Sequence, residues 1–387
     1  ATSNSYTATT SGQYKVEVQY PASTCAATSA VVNVTVNPNP VVTVAPAGPL
    51  AGCTGDNFVL TATSSQAGVS YQWLNGGAPI GGATSNTYTA TAAGNYSVRV
   101  TNTTTGCIGT SNVVSITINP LPDVTINSGP FVFCDGGSQI LSVPSQAGAT
   151  YQWKRNGVNI TGETNNTYTA TTTGNYTVEV ALGTGCKLTS AAAVVTVNPN
   201  PIAAITPAGP ITVCQGTPVN LSTPAQAGAS YAWTRNGTAI GTNSNTLAVT
   251  QTGNYQVTVT FTATGCFTVS NTVSVTINTL PDVTLNAPGP YTFCEGGSQV
   301  ISIPSQAGAT YQWYNGATAI PGATSNSYTA TTSGQYKVEV QYPASTCAAT
   351  SAVVNVTVNP NPVVTVAPAG PLAGCTGDNF VLTTTSS

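Results

Sequence analysis

The side chains with the richest chemistry in this 387-residue chain are ten cysteines, which recur in two kinds of setting. Cys53, Cys134, Cys214 and Cys294 each open a C-x-G stretch, whereas Cys107, Cys186, Cys266 and Cys347 each end a short polar turn before an alternating run. Cys25 and Cys375 occupy the same two settings nearer the ends. Regular, even-numbered cysteines in such a chain point to disulfides made in an oxidising, extracellular place. Zinc chemistry is not expected, because the chain has no C-x-x-C pair and no histidine.

The missing histidine also removes the imidazole base that would activate a serine or cysteine nucleophile. The carboxylates are scattered. Asp56, Asp135, Glu163 and Glu295 fall in turns without the alternating density that calcium needs. Glu17, Glu179 and Glu339 fall in a strand, where facing solvent with few partners suits them better than acid–base work. Gly-rich turns such as C-D-G-G-S lack the Lys-Ser/Thr of a phosphate loop. The threonine-rich T-Y-T-A-T-T at 167–172 fits an ordinary exposed strand face better than a hydroxyl array for ice or glycans. Only seven Lys plus Arg against ten Asp plus Glu leave no clustered positive charge for a nucleic acid backbone. No apolar run approaches the roughly 20 residues that span a bilayer. The chain is therefore expected to be no enzyme, with no catalytic residue, metal or cofactor, no nucleic acid partner and no membrane span in this segment.

The elements that must position the cysteines are repeated. Trp73, Trp153, Trp233 and Trp313 follow one another at 80-residue intervals, the mark of a tandem array. Proline-rich tetrapeptides at 37–40, 119–122, 198–201, 278–281 and 359–362 punctuate it. Because proline fixes φ and donates no hydrogen bond, each should be a short, semi-rigid spacer. The expected organisation is four complete domains at 41–118, 123–197, 202–277 and 282–358. The C-terminal part of another domain occupies 1–36, and the N-terminal part of a further one occupies 363–387. Residues 1–65 recur at 323–387 with one change, Ala62 against Thr384. Such near-identity is expected of a stretch cut from a longer repetitive polypeptide, whose units touch only their neighbours.

Within one unit, short runs rich in Val, Ile, Thr and Tyr alternate in polarity between Gly/Asn/Ser turns, as at 138–144, 150–155, 166–171, 175–182 and 191–197. About 80 residues of such strands make a two-layer sandwich. In Y-Q-W-K-R-N-G (151–157) the alternation puts Tyr151 and Trp153 on one face as core, with Gln152 toward solvent. Lys154 and Arg155 are replaced by Leu74 and Asn75, or by Tyr314 and Asn315, in sister units, so they suit a solvated face rather than a site.

These residues resemble the immunoglobulin superfamily. Y-Q-W-K-R-N-G looks like its central C strand, with Trp153 as the core tryptophan, and T-T-G-N-Y-T-V-E-V (172–180) resembles its tyrosine corner around Tyr176. The resemblance implies an all-β tandem array of immunoglobulin-like sandwiches forming an extended rod. Its core would be Trp73, Trp153, Trp233 and Trp313 with Tyr96, Tyr176, Tyr255 and Tyr336. The family's buried cysteine pair is absent, with Val143 and Val178 at those positions.

In that topology the two cysteine classes sit at opposite ends of a sandwich. A seven-residue strand is roughly 23 Å long, while a disulfide needs Cα atoms within about 7 Å. Interdomain pairs Cys53–Cys186, Cys134–Cys266 and Cys214–Cys347 are therefore expected, with Cys25, Cys107, Cys294 and Cys375 paired elsewhere. Pairing inside a domain, such as Cys134 with Cys186, stays open.

The combination of C-x-G, Y-Q-W, S-N-x-Y-T-A-T, G-N-Y-x-V-x-V, T-G-C and V-T-V-N-P is similar to immunoglobulin-like repeats of giant secreted surface proteins of Bacteroidetes, including gliding-motility adhesins exported by the type IX pathway. The resemblance implies a repetitive extracellular stalk at the bacterial cell surface that holds an unknown glycan or protein ligand multivalently. Its further partners would be neighbouring domains and other filament chains. A subunit of a pilus-like filament, or spacer modules of a secreted enzyme, are the alternatives.

Overall fold

The computed structural model describes residues 3–241 and 243–386; the outermost ends of the segments 1–36 and 363–387 lie outside the described residues. All regular structure among the described residues is β-strand, and the chain divides into two compact units, up to residue 197 and from 198 onward.

In the first unit, strands Leu50–Cys53, Val114–Asn119, Gly94–Asn102, Val69–Asn75 and Ala78–Pro79 lie side by side in one sheet, with Ile108–Thr110 also paired to Gly94–Asn102. A second sheet, ordered Thr87–Ala90, Phe58–Ser64 and Val42–Ala45, packs over it. Almost all pairs are antiparallel. In this sandwich the exception is Leu50–Cys53, which runs parallel to Val114–Asn119 with Cys53 opposite Asn119. This order, with the buried tryptophan between the layers, is that of an immunoglobulin-like sandwich.

The same arrangement follows in Phe131–Cys134, Ala193–Asn198, Gly174–Ala181, Thr150–Arg155 and Val158–Asn159, covered by Gln139–Ser142 and Thr167–Ala170. It recurs twice in the second unit, around Ala229–Arg235 and Thr310–Asn315. The array is thus a tandem series of sandwiches.

Alternation explains which side chains enter the core. Leu60, Trp73 and Val98 are fully buried together in the first complete sandwich; Leu141, Trp153 and Val178 are their counterparts in the next. All four tryptophans are at most 1% exposed, and Tyr96, Tyr176, Tyr255 and Tyr336 at most 3%. Val143 and Val178, which stand where the resemblance would place a cysteine pair, are both buried in the same apolar cluster.

The end segments form smaller pieces. Gly12–Tyr14 pairs with Val32–Val34, Glu17–Gln19 with Ala26–Thr28, and Val364–Ala367 with Thr383–Ser386.

In the second sandwich the sequence reading omitted three strands, Phe131–Cys134, Val158–Asn159 and Lys187–Thr189. Residues 131–134, 211–214 and 291–294 look too short and too close to a C-x-G turn to stand alone. Each becomes a strand beside the last strand of its own domain, some 60 residues later, and for 211–214 and 291–294 the pairing is parallel. That partner is what carries the C-x-G cysteine to the end of the sandwich where the chain leaves it.

Candidate functional site

The Y-Q-W stretch gives each of its three side chains a different task. Trp153 fills the core, and its indole N–H donates to the Asn165 carbonyl at 2.9 Å, so burial leaves no polar atom unpaired. Gln152 does not point freely to solvent as expected. Its Nε2 donates to the carbonyls of Trp153 at 2.8 Å and Ile160 at 3.0 Å, closing the hairpin that turns at Asn156 and Gly157. Both turn residues have positive φ, 50° and 83°, as a two-residue hairpin turn requires. Tyr151 is a partial correction also. It is half-buried at the edge of the core, and its hydroxyl accepts the Gln146 backbone N–H at 2.9 Å.

The tyrosine corner is present in every complete sandwich. Tyr176 donates to the Thr172 carbonyl at 2.8 Å, Tyr96 to Ala92 at 2.9 Å, Tyr255 to Gln251 at 2.5 Å and Tyr336 to Thr332 at 2.9 Å. Each spans four residues and pins the loop that enters the long central strand.

The charged residues are better partnered than the sequence suggested. Lys154 Nζ lies 2.9 Å from one Glu179 oxygen, and Lys187 Nζ lies 3.8 Å from the other. The Lys154 hydrogen bond, helped by both positive charges, holds the Glu179 carboxyl below its ordinary value. The reason is cross-strand register: Gln152 sits opposite Glu179 and Lys154 opposite Thr177, so Lys154 and Glu179 meet diagonally on the outer face. Tyr314 donates to Glu339 at 3.0 Å, and that carboxylate raises the phenol's pKa. Asp56 serves its own turn, accepting the Cys53 N–H at 2.7 Å. Among the described residues no three His, Cys, Asp or Glu side chains gather as metal ligands.

The chemistry of the chain is concentrated at the joins between sandwiches. Cys53 is bonded to Cys186 and Cys214 to Cys347, each with Cα atoms 5.6 Å apart and 133 residues between them in sequence. Both bonds run from one sandwich to the next. Two features bring the sulfurs together. The parallel pairing places Cys53 beside Asn119, where the Thr54 N–H donates to the Asn119 carbonyl at 2.9 Å. A tight turn in the following sandwich, with the Leu182 N–H donating to the Cys186 carbonyl at 2.8 Å, presents the second cysteine. Cys186 and Cys347 are completely buried, so each bond is shielded on that side.

Cys134 and Cys266 are disulfide-bonded as well. Cys25, Cys107, Cys294 and Cys375 are free thiols in this structure. No helix of the described residues is long and apolar enough to cross a membrane.

No family model matches the chain. Among curated proteins it is similar to a "highly immunogenic outer capsid protein" of Enterobacteria phage T4, with 34% identity over 158 residues, covering 35% of this chain and 42% of that protein. The match therefore spans less than half of the relative's length. Among solved structures it is similar to Sidekick-1 immunoglobulin domains 1–4, at 18% identity and TM-score 0.24, covering 82% of this chain and 99% of that one. It is also similar to the titin I-band fragment I67–I69, at 12% identity and TM-score 0.39, covering 63% of this chain and all of that one.

Proposed function

We propose that the chain is a non-catalytic, repetitive stretch of a large extracellular adhesin of the bacterial cell surface: a stiff stalk that gives reach and carries weak attachment sites in multiple copies. The single observation that carries this reading is that, within each compact unit, a disulfide joins one sandwich to the next: Cys53–Cys186 in the first and Cys214–Cys347 in the second. A bond inside a domain would stabilise that domain alone. One across a junction adds a second covalent strap beside the proline-rich linker, which stops the two sandwiches from swivelling about it.

Disulfides persist in oxidising compartments, which supports a location outside the cytoplasm. With 4% charged residues the surface has little charge of its own to repel a neighbouring surface. The similarity to a phage outer capsid protein fits a repeat displayed on an exterior. A place in gliding motility, and export by the type IX route, rest on the resemblance of the repeat motifs. The unknown ligand is a surface glycan or protein, and neighbouring chains could share the filament.

The domain bounds 41–118, 123–197, 202–277 and 282–358 and the pairing of Cys134 with Cys266 complete the proposal. Small-angle scattering of the oxidised and reduced chain tests it. A stiff stalk predicts one long maximum dimension when oxidised and a broader, shorter distribution after reduction. Identical curves would remove the staples from the mechanism, and a compact oxidised particle would contradict a stalk.

A further inference from the structure

The motif Q-A-G, five residues before the tyrosine of Y-x-W, belongs to none of the roles described so far. It recurs as Gln66, Gln146, Gln226 and Gln306, each with a tyrosine at the fixed spacing: Tyr71, Tyr151, Tyr231 and Tyr311. In three domains the glutamine side chain grips the backbone of the first residue after the linker at two points. The Asp282 N–H donates to Gln306 Oε1 at 2.7 Å, while Gln306 Nε2 donates to the Asp282 carbonyl at 2.8 Å. The same pair of bonds joins Gln146 to Asp123, at 2.9 and 2.8 Å, and Gln226 to Ile202, also at 2.9 and 2.8 Å. The tyrosine hydroxyl accepts the glutamine's own backbone N–H at 2.8–2.9 Å in all three.

A side-chain amide has the same donor and acceptor as a peptide group, so this grip is one rung of a β-ladder made by a side chain. Pro144, Pro224 and Pro304 stand two residues before the glutamine in the three domains that have this grip, where the first sandwich has Ser64. Where serine replaces that proline, Ser64 pairs with Val42, and the Ser65 N–H donates to the Val41 carbonyl at 2.9 Å. The backbone makes the rung there. Gln66 is released and donates instead to the Pro38 carbonyl inside the linker at 3.0 Å.

At Gln306 the clamp also touches the turn that presents the junction cysteine, a contact for which the corresponding turns of Gln146 and Gln226 carry the apolar Leu182 and Phe261. The Tyr342 hydroxyl donates to Gln306 Oε1 at 2.9 Å, and Tyr342 is the residue paired with Cys347 across the hairpin. Cys347 in turn is bonded to Cys214 of the preceding sandwich. Linker end, glutamine and cysteine turn are thus one connected group.

We propose that Gln306, and likewise Gln146, are junction-positioning residues: each fixes the direction in which the chain enters its domain and so presets where Cys347 meets Cys214 and where Cys186 meets Cys53. The proposal stands on the junction geometry and is independent of any adhesive role.

The test is the thiol–disulfide equilibrium of the full chain in graded glutathione buffers, read bond by bond by differential alkylation and mass spectrometry. In Gln306→Ala the effective concentration of Cys214 for Cys347 should fall about tenfold, the weight of two hydrogen bonds. Cys53–Cys186, held by Gln146, should not move in the same sample. Gln146→Ala should reverse the pattern. Gln306→Glu keeps the length and the acceptor but loses the donor, so it should fall between Ala and Gln. It also serves if the alanine variant fails to fold. An unchanged Cys214–Cys347 equilibrium in a folded variant, or an equal fall at both junctions, would overturn the proposal.

Discussion

Removing one staple should cost far more than removing a surface contact, and the size of the loss follows from the chain that the bond encloses. Cys53 and Cys186 close a loop with a sequence separation of 133. In the chain-entropy account, releasing a loop of that length frees roughly 5 kcal/mol of denatured-state entropy at 25 °C. For two sandwiches of this combined size each kcal/mol corresponds to about 2–4 °C, so the expected fall is roughly 10–20 °C. The perturbation is the double variant Cys53→Ser with Cys186→Ser, which leaves no unpaired thiol behind. The assay is scanning calorimetry of the full chain, in which the sandwiches bridged by Cys214–Cys347 serve as the internal reference. A fall under about 2 °C, or an equal fall in the reference transition, would refute the reasoning. It would mean that the bond does not restrain the unfolded chain as its span requires.

Other expectations are smaller and local. Thr223 is buried with its hydroxyl unpaired, at the place where sister domains carry Val143 and Ile303, so Thr223→Val should stabilise its domain by about 1–2 kcal/mol in urea titration. Tyr176→Phe removes the bond to the Thr172 carbonyl and should cost about 1 kcal/mol by the same measurement, with the fold intact by circular dichroism. The Glu179 carboxyl is depressed chiefly by its hydrogen bond from Lys154. Its contribution to stability is therefore present above the unfolded carboxylate pKa and is lost as pH falls through the lower folded value. Carboxyl NMR should show that low titration, and Lys154→Ala should move it back up.

Much of the fold was legible because the tandem repeat displays it four times. The tryptophan interval, the alternating strands and the G-N-Y corner each have a physical reason that needs no distant partner. Three things did not show. The four-residue strands ending at Cys53, Cys134, Cys214 and Cys294 each pair with a strand far along the chain, in parallel for the first and the last two, which no local pattern announces. Lys154 and Glu179 looked solitary because their meeting depends on cross-strand register. The glutamine clamp lies in a short polar loop and acts through a side chain in place of the backbone. Its signal was available all the same: a glutamine fixed five residues before a tyrosine, with proline two residues ahead of it in three copies of four.

The central claim, that disulfides run from each sandwich to the next, is tested most directly by peptide mapping of the unreduced chain with free thiols blocked before digestion. The account predicts peptides linking Cys53 to Cys186, Cys134 to Cys266 and Cys214 to Cys347. Recovery of Cys53 with Cys107, Cys134 with Cys186 and Cys214 with Cys266 would contradict it, since each sandwich would then be closed on itself and the junctions would be held by their linkers alone.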